Sequence, residues 1–187
     1  IVEGLAGGID ASRLRVRSWS RPATAFCLLV DRSGSMGGAP LATAALAAAA
    51  VATRSPDDFS VLAFGKDVVV VKGQTTPKPA DSIVTDLLSL RGFGTTDLAG
   101  ALQVAAGQLA RSRAARKVVV VLSDCRATVD GDPVAAAAAL DELVVVAPAA
   151  DADEAAAFCR LTGARLATVS GPSEVAEALM HALDGGA

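Results

Sequence analysis

The sequence predicts an α/β fold with a mainly parallel, doubly wound sheet of six strands, in which one edge strand is antiparallel. Three observations support this prediction. From Ala23 onward, apolar runs of strand length alternate with alanine-rich segments of helical length. Most of these runs are continuously apolar, as in a parallel sheet that helices cover on both faces. The tripeptide Gly65-Lys66-Asp67 separates two runs by a hairpin length, so that pair is predicted to be antiparallel.

Each predicted strand is an apolar run bounded by glycine, proline or polar residues. The strands are Thr24–Val30, Asp58–Phe64, Val68–Lys72, Arg116–Leu122, Glu142–Ala147 and Ala164–Val169. The helices predicted between them lie at about Pro40–Arg54, Lys78–Leu90, Asp97–Ser112, Pro133–Leu140, Asp151–Thr162 and Pro172–Leu183. Two of these helices have proline at the first helical position, where it is favoured. A basic cluster at the end of the third predicted helix is interpreted as a solvated helix end and not as a nucleic-acid patch; it consists of Arg111, Arg113, Arg116 and Lys117.

Residues 1–22 are predicted to form an N-terminal extension or an edge strand, and residues 23–187 to form one domain. Arg13, Arg15 and Arg17 alternate with single residues in the extension, and this pattern suits a solvated edge strand. The alternative is a basic face for an acidic partner. A chain of 187 residues that is 52% hydrophobic is long enough for one core and short for two.

Charge, hydropathy and cysteine usage narrow the class of protein. A net charge of −3 provides no field that would attract nucleic acid or an anionic membrane. The longest apolar stretch, Leu41–Ala52, is about half of a membrane span, so no span is predicted. The 3 cysteines form neither an even set of disulfides nor a pair with the spacing of zinc ligands. Because no signal peptide is evident either, we expect a cytoplasmic protein.

Side chains that bear oxygen follow two of the predicted parallel strands. Asp31-Arg32-Ser33-Gly34-Ser35 comes at the end of the first strand, and Ser123-Asp124 follows the fourth. The loop Gly92–Asp97 precedes a helix and offers two further hydroxyls, those of Thr95 and Thr96. Ligand sites in open α/β sheets lie at the carboxyl ends of the strands. We therefore expect these side chains to meet at one edge of the sheet.

Two carboxylates held close together repel one another, and a bound cation removes that cost. The donors here are all hard oxygens, without histidine or cysteine, so they favour Mg²⁺, Mn²⁺ or Ca²⁺ over zinc or copper. A simpler interpretation is that Asp31 and the serines cap a helix. That interpretation does not explain why Asp124 reaches the same edge from a different strand.

These segments resemble a known metal site. Asp31-Arg32-Ser33-Gly34-Ser35-Met36 is similar to the D-x-S-G-S-M signature of von Willebrand factor A (VWA) domains. Thr96 is similar to the threonine and Asp124 to the later aspartate of their metal-ion-dependent adhesion site (MIDAS). The resemblance covers Ala23 to about Leu183 and implies a Rossmann-like fold. At position 125 the chain departs from the family, which more often has glycine where Cys125 stands.

The resemblance also implies a ligand set and a function. Ser33, Ser35 and Thr96 would bind the metal through hydroxyls, and Asp31 and Asp124 directly or through water. A glutamate or aspartate of a partner protein would take the sixth position. The chain would then be a metal-dependent interaction module and not an enzyme. Its likeness to bacterial VWA proteins that work with MoxR-type AAA+ ATPases implies a role as adaptor to such an ATPase or its client.

The sequence also leaves two other functions open: a metal-dependent hydrolase or phosphoryl-transfer enzyme, and a metal-free scaffold. The sequence has no P-loop around Gly65-Lys66 and no second carboxylate two residues after Asp31. The single histidine, His181, is predicted near the end of the last helix, away from the strand edge. A serine–histidine pair at that edge is therefore not expected.

Overall fold

The structure is a computed structural model that describes residues 24–33, 47, 57–90 and 94–184. Three predictions concern residues outside these ranges: the extension over residues 1–22, the ligand Ser35, and the helix Pro40–Arg54 apart from Ala47. Ala47 itself is helical and buried. All other predicted strands and helices fall within the described ranges.

The six strands form one sheet, as predicted. They are β1 (Thr24–Asp31), β2 (Phe59–Phe64), β3 (Val68–Lys72), β4 (Arg116–Leu122), β5 (Glu142–Pro148) and β6 (Arg165–Val169), in the spatial order β3-β2-β1-β4-β5-β6. Four of the pairs are parallel, and β2 pairs with β3 in the antiparallel sense. The predicted antiparallel edge strand is therefore confirmed, with a register shift between Val61 and Leu62.

The described helices lie close to the predicted positions. They are α1 (Ala80–Ser89), α2 (Leu98–Leu109), α3 (Pro133–Ala137), α4 (Asp153–Thr162) and α5 (Val175–Asp184), with a 3₁₀ turn over Pro172–Glu174 before α5. None of these helices is long and apolar enough to cross a membrane. The helix predicted to reach Leu140 ends at Ala137, because Leu140 N–H bonds to the carbonyl three residues before it. Such bonds tighten the chain into a 3₁₀-type turn.

Alternate residues of the central strands point to opposite faces of the sheet, and both faces are covered. On one face Leu29 and Val121 pack in a cluster with residues of α2, α3 and α4. On the other face Leu28 and Val120 pack with residues of α1 and α5. This double covering explains the continuous apolar runs in the sequence.

The strand order reverses between β1 and β4. The chain leaves β1 toward β2 on one side, while β4 begins the series on the other side. Ala47, which follows β1, belongs to the cluster that includes α5, whereas α3, which follows β4, belongs to the opposite cluster. The two loops therefore diverge at the carboxyl ends of β1 and β4, and such a crevice is where α/β sheets bind ligands.

Candidate metal centre

Asp31 is the last residue of β1, and its side chain is buried at the carboxyl edge of the sheet. Its carboxylate accepts hydrogen bonds from two residues, Ser33 and Ser123. The backbone N–H of Ser33 donates to Oδ1 at 2.7 Å, and the hydroxyl of Ser123 donates to Oδ2 at 2.5 Å. Both oxygens are therefore held in place, one by the loop after β1 and the other by the loop after β4.

Ser123 joins these two loops. It follows β4 directly, and its backbone N–H donates to the Val146 carbonyl of β5 at 3.2 Å. Its hydroxyl oxygen accepts the Cys125 N–H at 2.9 Å while the hydroxyl donates to Asp31. The side chain has no solvent exposure. Ser123 is thus a positioning residue for Asp31, a role that its sequence context alone does not indicate.

Asp124 lies beside Asp31. It is 2% exposed, and its Oδ1 accepts the backbone N–H of Arg126 at 3.0 Å. Burial raises the pKa of Asp31 above its ordinary value, and the neighbouring charge of Asp124 adds to that rise. Hydrogen bonds from Ser123 and Ser33 act in the opposite direction without cancelling it. The two carboxylates therefore repel each other in a buried environment.

Thr96 reaches the same edge from a third loop. It is buried, whereas Thr95 is exposed. Two hydrogen bonds join Thr96 to Thr128 in the loop after β4: its N–H donates to the Thr128 hydroxyl at 2.8 Å, and its carbonyl accepts the Thr128 N–H at 3.1 Å. Thr96 is thereby fixed against the loop that carries Asp124.

The next residue anchors this loop on its other side. The Asp97 N–H donates to the carbonyl of Gly65, which directly follows β2, at 2.8 Å. The Asp97 carboxylate caps α2 by accepting the Gly100 N–H at 2.8 Å. A Cβ at Gly100 would lie 2.3 Å from that carboxylate, so glycine is required for this cap. The Thr96 loop is therefore held between β2 and the loop after β4.

Cys125 adopts a left-handed backbone conformation with φ of 61°. This conformation disfavours residues that have a Cβ, and the family more often has glycine at this position. The side chain is buried and belongs to the same apolar cluster as Cys159 of α4. Burial raises the pKa of the Cys125 thiol well above its ordinary value, so the thiol stays protonated. The loop after Asp124 therefore keeps a glycine-like conformation with a larger side chain.

The structure brings four of the five predicted ligands to one edge of the sheet: Asp31, Ser33, Thr96 and Asp124. Ser35 lies outside the described residues. In the described part of the chain, neither Asp31 nor Asp124 forms an ion pair with a lysine or arginine. The same part contains no group of three or more histidine, cysteine, aspartate or glutamate side chains placed to hold a metal.

The donor set at this edge fits a hard divalent cation. It consists of two buried carboxylates and neutral hydroxyls, which are the ligand types of Mg²⁺, Mn²⁺ and Ca²⁺. A cation would also relieve the repulsion between Asp31 and Asp124, which the surrounding hydrogen bonds leave in place.

Known structures share this fold. A von Willebrand factor type A protein from Catenulispora acidiphila is 18% identical, with a TM-score of 0.68 over 87% of this chain and 42% of that chain. An aerotolerance-related membrane protein from Bacteroides fragilis is 17% identical, with a TM-score of 0.65 over 87% of this chain and 99% of that one. Identities this low establish a likeness of fold alone.

Proximal thread matrix protein 1 from the mussel byssus, in a structure with zinc in its MIDAS motif, is 13% identical, with a TM-score of 0.63. That match covers 88% of this chain, which spans 48% of the mussel chain. No curated protein matches the sequence. The sequence model of the von Willebrand factor type A domain matches residues 26–127, which include β1, β4 and the loops of the candidate centre. The chain therefore belongs to the von Willebrand factor type A domain family.

Proposed function

We propose that this VWA domain binds one divalent cation at the edge formed by β1 and β4 and uses it to capture an acidic side chain of a partner protein. One observation carries the proposal. Asp31 and Asp124 are buried side by side, and no lysine or arginine in the described residues pairs with either of them. A bound cation would neutralise such a pair of carboxylates and remove their repulsion.

The proposed ligands are Asp31, Ser33, Ser35, Thr96 and Asp124. We favour Mg²⁺, with Mn²⁺ or Ca²⁺ as substitutes, because every donor is a hard oxygen. The zinc in the mussel protein's MIDAS motif shows that a relative of this fold also accepts zinc there, so zinc belongs in the test. When bound, the cation supplies a positive charge that a carboxylate from outside can coordinate. The five proposed ligands of this chain would hold that cation.

We assign the site to binding and not to catalysis. The single histidine of the chain, His181, is on α5 and lines a groove beside β6 at the edge of the sheet. The Ser123 hydroxyl donates to Asp31 and accepts from a backbone N–H, which fits a positioning role. A serine–histidine pair for covalent chemistry is therefore not formed at this centre.

The test of metal binding is calorimetric titration with MgCl₂, MnCl₂ and ZnCl₂. Wild type should bind one equivalent of Mg²⁺ or Mn²⁺, and Asp31→Ala should bind none. Asp130→Ala is the matched control, because Asp130 is an exposed carboxylate in the loop after β4 and its loss changes the net charge equally. Equal binding of Mg²⁺ by wild type and Asp31→Ala would refute the proposed centre.

For the partner we propose an AAA+ ATPase of the MoxR type or its client, in the cytoplasm. This step is supported by the resemblance to bacterial VWA proteins that work beside such ATPases. A pull-down from a bacterial lysate in MgCl₂ should recover an ATPase that EDTA releases. Recovery of no ATPase in either condition would refute this partner class, while the calorimetric result would still decide the metal centre.

A further inference from the structure

Arg126 sits directly beside the candidate metal centre. Its backbone N–H donates to Asp124 Oδ1 at 3.0 Å, so its main chain is fixed to the centre. Its guanidinium Nη2 donates to Asp151 Oδ1 at 2.6 Å. Asp151 follows β5, so it also lies at the carboxyl edge of the sheet. The guanidinium therefore bridges two loops at the rim of the centre.

The partner that Arg126 has in this structure is readily replaced. The side chains of Arg126 and Asp151 are 50% and 38% exposed, and ion pairs between exposed groups contribute little to stability. Asp151 engages one amino group, whereas a guanidinium offers a planar fork that suits a carboxylate held by two parallel bonds. Once released, the Asp151 carboxylate would remain near the N-terminus of α4, where the helix dipole favours negative charge.

Arg32, another arginine among the described residues at this edge, contacts the backbone of a turn. Its backbone N–H donates to the Phe64 carbonyl at 2.8 Å, and its guanidinium donates to the Asp67 carbonyl in the turn between β2 and β3 at 3.4 Å. A backbone carbonyl of a tight turn cannot swing away as an exposed carboxylate can. Arg126 is an arginine at this rim whose acidic partner is an exposed side chain that can be exchanged.

We propose that Arg126 exchanges Asp151 for a second carboxylate of the partner protein. The partner then presents a run of acidic residues, one coordinating the metal and another pairing with Arg126, and Asp151 competes with it as an internal mimic. This inference rests on the proposed function, since the first carboxylate needs the cation. It differs from a purely structural role of the bridge, in which Arg126 and Asp151 would support binding together.

The experiment measures fluorescence anisotropy with two labelled peptides, hexaglutamate and a glutamine peptide of the same length that contains one glutamate, each in excess MgCl₂ and in EDTA. The readout is the ratio of the two affinities. Arg126→Gln should lower the preference for hexaglutamate roughly tenfold, because a bidentate charged pair is lost. Asp151→Asn should raise that preference about twofold to threefold, because an exposed competing pair is removed.

Arg160→Gln is the matched control. Arg160 is an exposed residue in the last turn of α4, at the other end of the helix from Asp151, and it should not alter the preference. Opposite effects of Arg126→Gln and Asp151→Asn support the exchange, and weakening by both variants overturns it. If the peptide with one glutamate binds in Mg²⁺ and Arg126→Gln leaves the ratio unchanged, this inference alone is refuted. If neither peptide binds in Mg²⁺, the proposed function is refuted as well.

Discussion

The carboxylates at the two ends of the sheet lie in different electrostatic environments. At the amino end of β5, Glu142 lies between two arginines: Arg116 donates to it at 2.6 and 2.8 Å, and Arg165 at 2.6 Å. These arginines lower the pKa of Glu142 below its ordinary value. At the carboxyl end of β1, burial and the charge of Asp124 raise the pKa of Asp31. Stabilisation of the charged form at one end thus contrasts with its destabilisation at the other.

Asp58, just before β2 at the same end as Glu142, is also well provided with partners. It accepts a hydrogen bond from Gln74 at 2.6 Å and one from Ser112 at 2.5 Å, and Lys72 interacts with it electrostatically. At this end of the sheet the chain therefore supplies cationic side chains, as well as hydrogen-bond donors, to its acids. Asp31 and Asp124 at the opposite edge have hydrogen-bond donors but form no ion pair with a lysine or arginine of the described residues, and we propose that a cation from outside the chain neutralises them.

The largest expected effect is on the stabilisation by Mg²⁺, which should differ between wild type and Asp31→Asn. The pKa of folded Asp31 lies above its ordinary value of 3.8, so the charged side chain lowers the free energy of unfolding. This penalty is absent below pH 3.8 and complete above the raised pKa. At neutral pH without metal, the asparagine variant should be at least as stable as wild type. With Mg²⁺ at a hundredfold excess over Kd, wild type should gain about 2.7 kcal/mol and the variant nothing.

Urea unfolding followed by circular dichroism, in EDTA and in MgCl₂, measures both quantities. Asp130→Asn serves as the control for the loss of one negative charge, because Asp130 is exposed. If Asp31→Asn is strongly destabilised without metal, the chain already stabilises the charge of Asp31. The proposed difference between Asp31 and Glu142 would then be wrong.

A smaller effect is expected at Glu142, where loss of the charge should destabilise the protein. Glu142→Gln should lower the free energy of unfolding by about 1–2 kcal/mol, because it removes charged hydrogen bonds, and should leave the Mg²⁺ effect intact. The pKa of folded Glu142 lies below 4.5, so its contribution is present above pH 4.5 and is lost as the pH falls through the lowered pKa. Urea unfolding at pH 7 and at pH 4 should show this difference narrowing, and a difference that widens toward acid would contradict the assignment.

The smallest effect concerns the backbone after Asp124. Cys125→Gly should be more stable than Cys125→Ala by about 1 kcal/mol, because glycine alone adopts the left-handed conformation without a Cβ penalty. The comparison of these two variants cancels the loss of the buried thiol. Thermal melts of both proteins test it, and an alanine variant as stable as the glycine variant would mean that position 125 carries no strain.

Most of the fold follows from sequence patterns. The continuous apolar runs predicted the six strands, and the hairpin-length segment after Phe64 predicted the antiparallel edge. The ends of helices were harder to predict from the sequence. The tightened turn after Ala137, for example, depends on hydrogen bonds within three residues of the helix end. Arg116 was correctly predicted to begin a strand, but its side chain was interpreted as part of a solvated helix end, whereas it reaches Glu142 and the Leu183 carbonyl. Those partners are distant in the sequence, so no local pattern indicates them.

Part of the candidate site could likewise be predicted from the sequence, and part of it depends on contacts between distant residues. Its acids and hydroxyls stand at strand ends, and the carboxyl edge of a parallel sheet brings such positions together. Ser123 was missed because its role depends on a hydrogen bond to Asp31, which is 92 residues away. A serine directly before a strand-end aspartate was the available signal. The pairing of Arg126 with Asp151 is likewise a contact between loops and has no periodic signature.

The contrast between Asp31 and Glu142 is tested most directly by carboxyl ¹³C NMR titration of both residues, with and without saturating Mg²⁺. Without metal, the pKa of Asp31 should lie above 3.8 and that of Glu142 below 4.5. Mg²⁺ should lower the pKa of Asp31 and leave that of Glu142 unchanged. A pKa of Asp31 at or below 3.8 without metal, or one that Mg²⁺ does not move, would contradict the claim that this edge of the sheet is completed by a cation.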